Sequence, residues 1–440
     1  MGGRFGLMIL WKPMKAMTMP TTINAIMAIE KMPKGSWPAY KLLSMAAAND
    51  PMASTIPTNS ITSPQVFGAV LSSEVMEDVK IIWILQPLPY SMRPNGLSPH
   101  SIIFFLGGRL DLKCDGDEVT DWLMAEDNPT VRYLTLRHLL RKRETDSEVL
   151  EARESIMSQG PVPKILAKQL PEGNWGRPED FYMRSKYKGT VWNLILLAEL
   201  HADPEDQRVR RACEFVLNWS QDRSSGGFAY RGSGERGGNR SAVISCLTGN
   251  MVFSLIRLGY LEDERVQQGL DWIARYMRFS LEPMSSKEWP YMHDRCWHDH
   301  TCRSGAVKAL KALVEVPKGH RSAEMRRTIE EGAAFLLTQH IFRKGPGTQE
   351  ISRPDWLELG FPLMWNTDIL EILDILTRLG YQDTRMHDAL NLVLSKRQAD
   401  GRWLQRNRFE GKFLIRFERN GGPSKWVTLR AVRMLDTMPR

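Results

Sequence analysis

The sequence predicts an all-α body built from stacked helix pairs. Three observations carry this. Apolar residues recur at helical spacing in run after run from about Asp111 onward. The same helix start returns at Gly189, Gly249 and Gly305, intervals of 60 and 56 residues. Alternating strand patterns are nearly absent, the segment 412–418 being the exception.

Taken in order, Thr120-Asp121-Trp122-Leu123 opens the first amphipathic run. Asn128-Pro129 reads as a cap with proline at the first helical position. Val131, Leu134, Leu136, Leu139 and Leu140 follow on helical spacing, with Arg132, Arg137 and Arg141 on other faces. The next two runs place Val191, Leu194, Ile195, Leu197 and Ala198, then Val209, Ala212, Phe215 and Val216. Further copies of the helix start come at Thr367-Asp368-Ile369-Leu370 and Val427-Thr428-Leu429.

The turns inside the repeats share a phrase. Leu258-Gly259-Tyr260 leads to Asp263-Glu264-Arg265, Leu379-Gly380-Tyr381 to Asp383-Thr384-Arg385, and Leu200 to Asp206-Gln207-Arg208. Glycine supplies a left-handed helix end, and the acid opens the next helix, where the helix dipole favours it. One such pair cannot bury its apolar stripe alone, so copies must stack, as an open solenoid or a closed ring. Second helices end on Gln169…Gly173-Asn174-Trp175 and Gln398…Gly401-Arg402-Trp403, with Gln221…Gly226-Gly227-Phe228 as a looser version. Glycine allows the tight turn, the aromatic packs back, and glutamine bonds backbone groups, so these read as structural staples.

Composition sets limits. Of 440 residues, 42% are apolar and 25% charged, which excludes collagen-like, coiled-coil and wholly disordered chains. The net charge of +8 is mild for this length and is no signature of nucleic-acid binding. No apolar run is long enough for a transmembrane helix. Five irregularly spaced cysteines point to a reducing compartment, hence a cytoplasmic location. Residues 1–108 hold 11 of the 23 Met, 11 of the 25 Pro and only five acids, with short apolar runs bounded by Pro or Gly. Residues 1–110 are therefore expected to be a low-order or artefactual extension, with the helical domain spanning 111–440.

The helix-pair period and the two Gln…Gly-x-Trp endings together resemble the repeat of the squalene cyclase and protein prenyltransferase β-subunit superfamily, over roughly residues 120–440. The resemblance implies an α/α toroid, an α6/α6-type barrel with first helices around a central cavity and second helices as a shell. In relatives that cavity holds isoprenoid chains and is lined by aromatics. Here Trp192, Trp272, Trp297, Trp365 and Trp426 are the candidates, since aromatic faces suit carbocations and apolar chains.

The superfamily's acidic motifs are missing. There is no D-x-D-D and no D-D-x-x-D; Asp203-Pro204-Glu205-Asp206 falls in a repeat turn and reads as a helix cap. Standard triterpene cyclisation is thus not expected. The prenyltransferase branch uses zinc held by Asp, Cys and His. His300-Thr301-Cys302 before Gly305 resembles the segment carrying that family's His ligand, and Cys246 its Cys position, but Ile244 replaces the Asp. Cys246, Cys296, His300 and Cys302 form the candidate zinc set, with zinc the one cofactor suggested. Arg231, Arg236 and Arg240 lie in a glycine-rich loop whose amides and guanidinium groups suit an anion. Arg257, Lys308 and Lys311 stand on predicted first helices and are expected to face solvent.

Two functions are compatible with these features. One is a transferase or cyclase of this superfamily acting on an isoprenoid or similar apolar substrate. The other is a non-catalytic toroid that binds a ligand, peptide or partner protein.

Overall fold

The computed structural model describes residues 118–280, 301–406 and 409–437, together with the backbone of five short strands before them. The chain divides into two units, Met1–Gln86 with Ile102–Gly107 and Pro87–Ser101 with Gly108–Arg440. In the first unit, β1 (Arg4–Leu10) pairs antiparallel with β2 (Ala28–Met32) and parallel with β3 (Leu42–Leu43). β4 (Ile81–Ile82) pairs antiparallel with β5 (Phe105–Leu106). These strands lie in the segment whose sequence shows no sustained helical or strand period. Apolar runs this short, closed by Pro or Gly, cannot form a helix of useful length but can pair as strands. The low order expected of residues 1–110 otherwise concerns residues outside those described.

The second unit is helical: α1 (Glu118–Leu123), α2 (Pro129–His138), α3 (Ser147–Ser158), α4 (Pro161–Leu166), α5 (Thr190–Glu199), α6 (Gln207–Trp219), α7 (Ser245–Leu255), α8 (Glu264–Tyr276), α9 (Arg303–Glu315), α10 (Ala323–Thr338), α11 (Ile369–Leu379), α12 (His387–Ser395) and α13 (Lys425–Thr437). A two-residue hairpin of β6 (Gly232–Ser233) and β7 (Gly237–Gly238) folds the basic glycine-rich loop. Residues 412–418 form no strand. Their apparent alternation places Phe409, Phe413 and Phe417 four residues apart, and rings at that spacing pack together rather than on a sheet.

The helix boundaries follow from local chemistry. Asn128 accepts a bond from the Val131 N–H, with Pro129 at the first position of α2. Asp206, Asp263 and Asp383 each accept from the N–H of the arginine two residues on, and that arginine's guanidinium folds back onto the same carboxylate. Gly259 (φ 88°) and Gly380 (φ 95°) take the left-handed conformation that ends the first helices.

Burial sorts the helices into two kinds. Every residue of α5 is buried, as is every residue from Gly305 to Val314 in α9 and from Ile369 to Leu376 in α11. Helices α6 and α8 bury one stripe and expose the rest. The first helices pack in succession: α5 on α7, α7 on α9, α9 on α11, α11 on α13, and α13 back on α2. Thr130 on α2 donates to the Leu200 carbonyl just beyond α5 (2.9 Å). The second helices α6, α8, α10 and α12 each pack against the first helix before them.

Helices α7 and α9 touch backbone to backbone. A Cβ on Gly249 would lie 2.4 Å from the Lys308 carbonyl carbon, and one on Gly305 would lie 2.1 Å from the Ser245 hydroxyl. The glycines aligned in the sequence are therefore not equivalent. Gly189 caps α5, whereas Gly249 lies inside α7 and Gly305 inside α9. The equivalent positions are Thr190, Thr248 and Thr428. Their hydroxyls accept from the N–H of Trp175 (3.2 Å), Phe228 (2.9 Å) and Trp403 (3.0 Å) respectively.

Those three aromatics close the Gln…Gly turns, and the staple is visible in bonds. The Gln169 amide donates to the Gly173 carbonyl and, across to α6, to the Arg208 carbonyl (2.9 Å). Gln221 donates to the Gly226 carbonyl and, across to α8, to the Arg265 carbonyl (2.6 Å). Trp175 and Trp403 donate their indole N–H to Ile165 and Val393 of the preceding helix (2.9 and 2.8 Å). Gly401 lies against Val119 of α1, so α1 takes the second-helix place beside α13.

Candidate functional site

The first helices α9 and α11 carry charges along one face, beginning in the first turn of α11 and ending in the last turn of each. Lys308, Lys311 and Glu315 occur at i, i+3 and i+7 of α9, and Glu371, Asp374 and Arg378 at the same spacing on α11. They meet in a buried network. Lys308 donates to both oxygens of Glu371 (2.9 and 2.7 Å), and Lys311 bonds Glu371 (3.0 Å) and Glu199. Arg430 of α13 reaches Glu199 of α5 at 4.0 Å. Arg257 pairs with Glu315 (3.1 Å) and touches His201 (2.7 Å); Arg378 also pairs with Glu315 (2.9 Å), and Arg433 with Asp374 (2.7 Å). This corrects the solvent exposure expected of Arg257, Lys308 and Lys311: Lys308 is fully buried, Lys311 nearly so, and the Arg257 side chain 16% exposed. A charge on a helix buried all round has only other charges to turn to.

The network sets protonation states. Burial opposes ionisation of Glu371, but Lys308 and Lys311 outweigh it and hold the carboxyl well below its ordinary range. Desolvation raises Asp368, at the start of α11, to about 6, against the pull of Arg430. Both Asp368 oxygens accept backbone N–H groups, from Glu371 (2.7 Å) and Gly360 (3.1 Å), so this carboxyl is used as a helix cap.

His201 is held neutral by desolvation first and by Arg257 next, far below the ordinary imidazole pKa. The unfolded chain therefore takes up the proton first as pH falls. Stability that is complete above the ordinary imidazole pKa should decline as pH drops through it. His201 has φ 54°, which asparagine tolerates. His201→Asn should flatten the decline in urea-unfolding stability between about pH 7 and 5; an unchanged slope would refute this assignment.

A second constellation lies at the N-terminal ends of the first helices. The described loops leading into them, such as 167–189, 220–244 and 339–368, are long, while those leading out, such as 200–206 and 316–322, are short. The long loops build a continuous chain of rings. Tyr230 meets Tyr182 (6.4 Å between centroids), Tyr182 stacks on Trp192 (4.7 Å), and Trp192 meets Tyr187 (5.3 Å). Tyr187 packs on Phe409 (4.7 Å) and Phe413 (5.7 Å), and its hydroxyl accepts from the Trp365 indole (3.0 Å). Phe413 leads through Phe417 and Phe361 to Trp426, stacked on Phe361 at 3.9 Å. Exposed cations stand over the solvent edge: Lys186 over Tyr187 and Trp365, Arg231 over Tyr230, and Lys412 over Phe409.

The structure thus brings three of the five predicted tryptophans, Trp192, Trp365 and Trp426, into one cluster. Trp272 lies elsewhere, on the second helix α8 beside Gly227 and Tyr276. Its place in the buried stripe of the amphipathic α8 makes it ordinary core. Trp297 lies outside the described residues. The signal missed in the sequence is the partner set around these tryptophans. Tyr182 and Tyr187 precede α5, and Phe409, Phe413 and Phe417 precede α13, in loops with no periodicity to place them.

Of the candidate zinc ligands, Cys296 and His300 lie outside the described residues. Cys246 is in the first turn of α7 and Cys302 caps α9, at the same end of two packed helices. Burial pushes the Cys302 thiol up. Among the described residues no three His, Cys, Asp or Glu side chains gather as a metal group, and two thiols alone do not complete a four-ligand zinc site. Arg231, Arg236 and Arg240 are all exposed around the β6–β7 hairpin, with Arg240 donating to Ser224 (3.4 Å). Among the described residues no helix is long and apolar enough to cross a membrane.

No family model matches the chain, and no curated protein matches it. Several solved structures resemble it at low similarity. The apo type II terpene cyclase MstE from Scytonema is 15% identical, with 72% of this chain and 87% of that one covered and a TM-score of 0.35. A protein from Actinoplanes is 15% identical over 70% and 89% of the two chains, with a TM-score of 0.34. A variant of MstE bound to geranylgeranyl dihydroxybenzoate is 16% identical over 71% and 87%, with a TM-score of 0.33.

Proposed function

We propose that the helical unit is an α/α toroid of the terpenoid cyclase and prenyltransferase type that binds an isoprenoid or similar apolar molecule at the ring cluster. The carrying observation is the continuous path of ten aromatic rings from Tyr230 to Trp426, set by the long loops at the N-terminal ends of the first helices. Such faces hold a flexible apolar chain by area and by the ring quadrupole. The succession of first helices returning from α13 to α2, with Gln…Gly turns tying second helix to second helix, supports a closed ring.

The chemistry favours binding over proton-initiated cyclisation. The charges on the first helices are spent on one another. Asp368, the carboxyl raised to about 6, has both oxygens occupied by backbone donors. A zinc-assisted transfer would draw Cys296 and His300 to Cys246 and Cys302. One zinc per chain in the purified protein, lost in Cys302→Ala, is the result that would favour it.

Farnesol titrated into the protein should quench tryptophan fluorescence saturably. Trp365→Ala removes a half-exposed ring of the cluster and should weaken binding about tenfold, the effect of losing 1–2 kcal/mol of ring contact. Trp272→Phe, away from the cluster, should leave affinity unchanged. No saturable binding by the unaltered protein would sink the proposal.

A further inference from the structure

Every carboxyl group of the buried charge network is committed, but one of its cations is not. The network joins Arg257, Lys308, Lys311, Arg378, Arg430 and Arg433 to Glu199, Glu315, Asp368, Glu371 and Asp374, six cations against five carboxyl groups. Lys308 and Lys311 bond Glu371 (2.7 and 3.0 Å), Arg257 and Arg378 share Glu315 (3.1 and 2.9 Å), and Arg433 grips Asp374 (2.7 Å). A further cation beside Arg378, Arg321, is met by the Val314 and Val316 carbonyls at the end of α9. Arg430 is the exception. Among the described residues it makes no hydrogen bond, and the one carboxylate it reaches is Glu199, at 4.0 Å.

No acid is free to turn to it. Glu199 bonds Lys311, and Glu371 bonds both lysines. Both oxygens of Asp374 accept from Arg433 (2.7 and 2.8 Å), and both of Asp368 accept backbone N–H groups. The Arg430 side chain is 14% exposed, so it is largely out of water yet still reachable. A guanidinium carries donors alone, and a mostly buried one without an acceptor is costly.

We propose that Arg430 binds a small monocarboxylate where α5, α11 and α13 meet, its fork of N–H groups pairing with the two carboxylate oxygens. The planar fork matches a carboxylate. A single negative charge fits, because six cations against five carboxyl groups leave one charge unmatched. A sulfate or a diphosphate would bring surplus negative charge among Glu199, Asp368, Glu371 and Asp374. Binding is linked to a proton. Asp368, raised to about 6 by desolvation, faces Arg430 on α13 and Glu371 on its own helix. A carboxylate on Arg430 cancels the pull that keeps Asp368 ionised, so the complex takes up a proton, and lower pH favours binding.

The test follows the melting temperature of the full chain as acetate replaces chloride at constant ionic strength. Acetate should raise it saturably, with a lower midpoint at about pH 6 than at about pH 8. Arg430→Gln should melt alike in the two salts. Arg430→Lys keeps the charge without the fork, guards against misfolding of the first variant, and should raise the acetate midpoint about tenfold. Arg236→Gln, in the exposed β6–β7 hairpin, should respond like the unaltered protein. An equal response to acetate and chloride in the unaltered protein overturns the proposal. So does an acetate effect that persists in Arg430→Gln, the mark of an adventitious ion only, or an unchanged midpoint in Arg430→Lys. Tighter binding at the higher pH, or pyrophosphate bound more tightly than acetate through Arg430, would also overturn it.

Discussion

Glu371→Gln should cost about 3–5 kcal/mol of folding stability, because removing one partner of a buried ion pair strands the other charge in a low-dielectric interior. Lys308 is fully buried, and Glu371 accepts its two shortest bonds (2.7 and 2.9 Å) as well as one from Lys311 (3.0 Å). With the carboxylate gone, Lys308 has no other acidic partner within bonding distance among the described residues, while Lys311 retains Glu199. Urea unfolding followed by circular dichroism reads the loss. Lys308→Met in the same chain should recover part of it, since an uncharged pair of similar volume no longer carries the desolvation cost. A loss below about 1 kcal/mol would show that water reaches the pair and that it is not a dry structural link.

Gly249→Ala should cost about 3 kcal/mol, at the upper end for an added methyl group in a packed interior. Most overpacked sites relax by moving a side chain. Here the added carbon meets backbone, 2.4 Å from the Lys308 carbonyl carbon and 2.7 Å from the Ala309 nitrogen. Helices α7 and α9 would have to separate, and the shift would pass directly to Lys308 and its pairing with Glu371. Gly319→Ala is the control, since nothing lies within 4 Å of a Cβ there. It should change stability by less than about 0.5 kcal/mol. Equal effects of the two substitutions would mean that the close approach of α7 and α9 is not maintained in solution.

The repeat was legible because it is written in local chemistry. The Asp-x-Arg caps at Asp206, Asp263 and Asp383, the left-handed Gly259 and Gly380, and the Gln169 and Gln221 turns each depend on residues within a few positions of one another. The phase of the repeat was less legible. Gly189, Gly249 and Gly305 look alike in sequence, but one caps a helix and the other two permit contact between helices sixty residues apart. Strands in the first unit were missed because a two-residue pairing such as Ile81–Ile82 with Phe105–Leu106 has no period to detect.

By itself the sequence determined that the body of this chain is helical, where its pairs begin and turn, and that it supplies many aromatics and a mild basic excess. Those properties depend on neighbours along the chain and on composition. Only the tertiary structure decided that Lys308, Lys311 and Arg257 are buried in an ion network rather than exposed, because charge spacing on one helix does not reveal the opposite charges on the helix beside it. Only the tertiary structure gathered Trp192, Trp365 and Trp426 with Tyr187 and Phe409, and left Trp272 apart from them on α8.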